Sequence, residues 1–234
     1  MNISEIWKYD LRKGSTDHPR NGACLFDAGM WIVYGKIGDD PPCSCPVIRR
    51  YAIGLNDAMN AVARQSLKPF ILRVVGNRDP EAEAARLHYI VLETARKVVP
   101  VSLRLIGLHA QADKIAALPD DATYAQIEVI VGNVSRIDAS AYASAYAAAS
   151  AYAAAACAYA ADAYASAYAA DASAYAAAAC ADASVWPLVI SVLDGALRIG
   201  KQAPDFDVAD VARAVEQFEH TRRVFLKTPQ GATS

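Results

Sequence analysis

Five residues near the start of the chain carry reactive or metal-ligating side chains at close spacing. Cys24 stands in Gly22-Ala23-Cys24-Leu25-Phe26-Asp27-Ala28. Asp39, Asp40, Cys43 and Cys45 stand in Asp39-Asp40-Pro41-Pro42-Cys43-Ser44-Cys45-Pro46-Val47. Proline suits the first position of a helix, where its missing N–H would have no partner anyway, so Pro46 puts Cys43 and Cys45 at a helix start. The positive end of a helix dipole stabilises anions, and a thiolate there has a lowered pKa and attacks electrophiles more readily. Joined by Cys24 and by Asp39 or Asp40, the same residues also offer thiolate and carboxylate ligands to a metal ion. A C-x-C pair with one distant cysteine is no standard zinc spacing. The third reading is structural, with Cys24 as a small core residue and Cys45 capping or packing a helix. All three readings stay open on the residues alone, and no cofactor is expected.

Other chemistry is less well signalled. His18, His88, His109 and His220 are scattered, with no partner at ligand or triad spacing. No glycine-rich phosphate loop occurs. Basic pairs such as Arg49-Arg50 and Arg222-Arg223 are ordinary solvated charge, and a formal net charge of -2 over 234 residues gives no bulk attraction to nucleic acid.

The elements that must hold these residues read as helices. Hydrophobic residues make up 54% and charged residues 21%, the balance of a folded chain of one domain or two small ones. Residues 1 to 21 are polar and mixed, and are expected to form a poorly packed arm. Apolar residues at helical spacing predict helices over Ala23 to Tyr34, Pro46 to about Arg64, and Leu67 to Val75. Asp79-Pro80-Glu81 has the residue types of a helix start, and that helix runs to about Val98. Val101 to Leu118 predicts one or two helices broken near Gly107 or Gln111. Thr123 to Ile137 predicts a helix, although its β-branched Ile127-Glu128-Val129-Ile130-Val131 core leaves a strand possible. Pro187 to Gly200 and Asp207 to Val224 complete the series.

Between them lies a stretch of unusual composition. From Ala139 to Ala183, 28 of 45 residues are Ala and seven are Tyr, of 12 tyrosines in the chain. No Lys or Arg occurs between Arg136 and Arg198. Ala141 to Cys157 (AYASAYAAASAYAAAAC) is repeated as Ala163 to Cys180 (AYASAYAADASAYAAAAC), with Asp171 inserted. The first part of the copy is displaced by 22 residues, about 6.1 helical turns, so the early tyrosines return to nearly the same face. An inserted residue turns everything after it by ~100°, which leaves two expectations open, a bulge or kink near Asp171 or a straight helix with a broken tyrosine stripe. Alanine favours helix over strand. As one helix the stretch would be ~68 Å long, against ~45 Å across a compact domain of this size. The expectation is one long helix or a helical hairpin packed in a bundle or against another copy, with Tyr142, Tyr146, Tyr152, Tyr159, Tyr164, Tyr168 and Tyr175 as interface candidates. Its uncharged part has no Leu, Ile, Val or Phe, so no membrane span is expected.

The pieces around Cys24 and Cys43, together with Leu55-Asn56-Asp57-Ala58 and Leu67-Lys68-Pro69-Phe70, resemble a group of Ala-rich proteins of bacteria and their phages. In that group the loop commonly reads Asp-His-Pro-x-Cys. Here Asp40 stands where the His would be, which weakens any metal or acid–base role carried over from it. The resemblance covers the first third of the chain and the Ala-rich character. It implies an all-helical fold, a phage- or mobile-element setting, and no particular reaction.

The reading is therefore an all-α irregular helical bundle: an arm (1–21), a helical domain (22–137), the duplicated Ala/Tyr segment (138–184), and C-terminal helices with a polar tail (185–234), packed as one domain. The N-terminus lacks a basic start and an apolar core, so a cytoplasmic protein with reduced cysteines is expected. The expected function is non-enzymatic: interaction or scaffolding, as a homo-oligomer or with a protein partner, without nucleic acid or membrane. The alternatives are a thiol- or metal-dependent enzyme centred on Cys24, Cys43 and Cys45, and a small-ligand binder with a Tyr-lined pocket.

Overall fold

Ile3, Trp7 and Leu11 recur every fourth residue, and all three are buried, Trp7 to 1% exposure. The computed structural model describes residues 3–105, 107–135 and 185–227. In it the expected N-terminal arm is corrected: it is part of the core. A short helix α1 (Ile3–Ile6) leads Trp7 into the body. There Trp7 meets Phe218 with ring centroids 4.9 Å apart, and Tyr9 meets the same ring at 5.2 Å. Polarity along the segment hid three anchors spaced for one face, and each large ring contributes more burial than several small residues. Leu11 then forms an isolated parallel bridge with Ala23.

The rest is helical, with no strand among the described residues. Next come α2 (Leu25–Tyr34), α3 (Pro46–Ala58) and a single turn α4 (Ala61–Arg64), which runs on into a 3-10 helix (Gln65–Phe70). They are followed by α5 (Glu83–Lys97), α6 (Val99–Leu105), α7 (His109–Ala116) and α8 (Tyr124–Ser135). Beyond the Ala/Tyr segment come α9 (Val185–Leu197) and α10 (Val208–Lys227).

One continuous core joins residues from both sides of that segment, from Ile3 to Phe218. Helix α5 sits centrally, packed against α3, α6, α7, α8 and α9, while α10 lies on α2. Trp31 locks that last pair, its indole N–H donating to the Ala214 carbonyl at 2.9 Å.

Several expected boundaries moved for local reasons. The helix from Pro46 ends at Ala58, because Asn60 caps a new turn by accepting from the Val62 and Ala63 N–H groups. Leu67 to Val75 is a 3-10 helix followed by turns. Helix α5 begins at Glu83 rather than at Pro80, and the Asp79 carboxylate accepts the Glu81 and Ala82 N–H groups of the turn before it as well as the distant Lys201 N–H. The break near Gly107 is observed, with that residue at φ 80. The strand option at Thr123 to Ile137 is not taken. There Thr123 and Gln126 form a reciprocal cap: the Thr123 N–H donates to Gln126 Oε1 at 2.8 Å and the Gln126 N–H to Thr123 Oγ1 at 3.3 Å. Residues 136–184 lie outside the described residues, and with them the seven interface tyrosines and both expectations at Asp171.

Candidate functional site

Cys24 sits immediately before α2, and its sulfur accepts the Asp27 N–H at 3.4 Å. Asp27 Oδ2 accepts the Cys24 N–H at 3.1 Å in return. This is a capping box with sulfur in place of the usual hydroxyl. The Asp27 carboxylate also gathers the preceding loop, accepting the Thr16 N–H at 3.2 Å and the Ser15 hydroxyl at 3.4 Å. Both residues are buried. Burial pushes the Cys24 thiol far above its usual range, and the adjacent Asp27 charge adds to it. Burial likewise raises the Asp27 carboxyl, against the opposing pull of its N–H donors. Cys24 is therefore a protonated core thiol.

The second piece wraps the start of α3. Asp40 forms an ion pair with Arg49, and with Asp39, Arg50 and Ile53 they border a depression of about 140 Å³. Ser44 donates its hydroxyl to the Val74 carbonyl at 2.7 Å, and the Cys45 N–H donates to Asn77 Oδ1 at 2.9 Å. Cys45 is 0% exposed and makes no side-chain cap. Asn77 also donates to the Arg73 carbonyl, so one buried amide joins the Cys45 turn to the segment after the 3-10 helix. Cys24 and Cys45 thus follow the structural reading. Among the described residues no three His, Cys, Asp or Glu side chains form a group that could hold a metal ion.

Cys43 differs from both. It is half-buried, and the Tyr34 hydroxyl donates to its sulfur at 2.9 Å. That hydrogen bond is the main cause of a raised Tyr34 pKa, with burial second. Cys43 opens into a groove of about 350 Å³ between the end of α2, the turn at Val75-Gly76, and the linker from α9 to α10. Val33, Val75, Pro204 and Phe206 form apolar walls, and Tyr34, Cys43, Lys201 and Gln202 supply the polar groups. A larger polar cleft of about 610 Å³ lies over residues 12–17, Asn21 and Ala23.

A fully buried guanidinium holds one wall of the groove. Arg86 donates to the carbonyls of Asn77, Ile199 and Lys201 at 2.7, 2.9 and 2.7 Å. The Lys201 N–H in turn donates to Asp79 at 2.8 Å, the leading cause of the lowered Asp79 pKa. Sequence reasoning selected Cys43 but missed Tyr34, Lys201 and Arg86. Arg86 sits among ordinary helix residues, and Lys201 follows a glycine in a polar linker, so neither position carries a local signal.

No family model matches the chain, and neither does any curated protein or solved structure. Among the described residues no helix is long and apolar enough to cross a membrane.

Proposed function

We propose that the protein is a non-enzymatic helical interaction protein that self-associates through its Ala/Tyr-rich segment. One observation carries this reading. The segment joins α8 to α9, both of which pack on α5, and the flanking helices already share one continuous core. The segment is thus attached at both ends to a body with its own core. Its composition suits helix association: Ala lets axes approach to the low end of the usual ~8–10 Å, and seven tyrosines supply large amphipathic contacts. The structural use of Cys24 and Cys45 favours this reading over a thiol- or metal-dependent enzyme. A cytoplasmic location and a phage- or mobile-element setting belong to the same proposal, the latter resting on the resemblance of the Cys24 and Cys43 regions.

Native mass spectrometry of the full chain tests it. The expected result is a multimer of the 24.9 kDa chain that shifts toward monomer in Tyr152→Ala and Tyr159→Ala. A wild-type protein found only as monomer, across the concentration range tested, overturns the proposal.

A further inference from the structure

We infer that the groove beside Cys43 binds a small amphipathic carboxylate, an organic acid with an aliphatic or aryl body. Its volume of about 350 Å³ falls in the ~300–1,000 Å³ range of small-molecule pockets. Its walls match an apolar body, and Lys201 is the charged side chain among its lining residues. Among the described residues no carboxylate pairs with the Lys201 ammonium. The nearby Asp79 is occupied by backbone N–H groups of Lys201, Ala82 and Glu81. An ammonium at the rim of an apolar groove attracts an anion whose other end is apolar, and the pairing gains from partial desolvation.

The groove is also held in shape before any ligand arrives. The backbone of Lys201 is fixed on both sides, its N–H by Asp79 and its carbonyl by the buried Arg86. Gly76 lets the linker close over the turn, since a Cβ there would come within 2.8 Å of Pro204 Cδ. A site with fixed walls loses little freedom when it binds.

The test uses the full chain with 4-phenylbutyrate and the neutral 4-phenylbutanol as probes, followed by calorimetry. The acid is expected to bind at one site per chain and more tightly than the alcohol. Lys201→Met should weaken the acid about tenfold, the loss of one charged contact, and leave the alcohol unchanged. The side chain of Lys201 is exposed and its backbone bonds survive the substitution, so the variant is expected to fold, which circular dichroism checks. Alkylation of Cys43 by iodoacetamide, followed on its own peptide by mass spectrometry, should slow when the acid is present. Equal binding of acid and alcohol, an acid affinity unmoved by Lys201→Met, or an unprotected Cys43 at saturation would each overturn the assignment, as would no binding at millimolar probe. These results are independent of oligomeric state.

Discussion

At Cys24 a sulfur atom does what a serine hydroxyl does at most helix starts. The box was not read from the sequence, because cysteine is not a usual capping type. Asp27 then carries a pH dependence whose sign follows from its environment. Burial raises its pKa above the unfolded carboxyl value of about 3.9, so the folded state favours the neutral form. That contribution to stability is fully present below the unfolded pKa and is lost as pH rises through the folded one. Asp27→Asn stays neutral throughout. The stability of the variant relative to wild type should therefore increase from about pH 4 upward and level off once Asp27 is ionised. Urea unfolding midpoints across this range read the difference, and a pH-independent gap would refute the argument. Asp79 and Asp194, whose pKa values are lowered, work in the opposite direction but cancel in the comparison.

Among the helices, sequence periodicity located most elements, and local chemistry decided where they end. The expected run from Pro46 to Arg64 breaks because Asn60 offers a cap, and Arg64 turns back to satisfy the carbonyls left at the end of α3. Its guanidinium donates to the Asn56 and Met59 carbonyls, both at 2.6 Å. No periodic pattern encodes that return. At Thr123 the reciprocal cap with Gln126 prevailed over the β-branched run behind it. The packing of α9 on α5 depends on a single missing methyl group. A Cβ at Gly195 would lie 2.0 Å from the Tyr89 hydroxyl and 2.4 Å from its Cζ. Gly195→Ala should therefore destabilise by about 1–3 kcal/mol, despite the better helix propensity of alanine. Tyr89→Phe should restore only part of this, because the ring carbons remain in the way. Thermal unfolding of the two single variants and the double variant measures the coupling, and simple additivity would refute the contact.

In the molecule as a whole, Arg86 is the residue on which distant parts converge. It is 0% exposed and ties α5 to Asn77 and to the linker carbonyls of Ile199 and Lys201. Arg86→Met would fill a similar volume but leave three carbonyls without their donor. The expected loss is about 3 kcal/mol or more. Arg86→Lys should rescue little, since an ammonium lacks the planar fork that reaches all three. Denaturant unfolding gives the energies. Limited proteolysis should find the 199–206 linker cut sooner in Arg86→Met than in wild type, and equal rates would argue against the clamp.

The sequence by itself determined the all-helical class, the position of most helices and the separate character of the Ala/Tyr stretch. These are properties of neighbours along the chain: apolar spacing, capping residues, prolines and a repeated composition. It also pointed to Cys43, because a thiol just ahead of a helix-opening proline is visible locally. Only the tertiary structure decided that Ile3, Trp7 and Leu11 belong to the core, since Trp7 and Phe218 meet across the whole length of the chain. It alone separated the three cysteines into two buried structural thiols and one that opens on a groove. That groove is built from α2, a turn and a linker, and its cation stands on Lys201, far along the chain from Cys43. Contacts between such distant residues depend on how whole helices pack, and no local pattern of residue types carries that information.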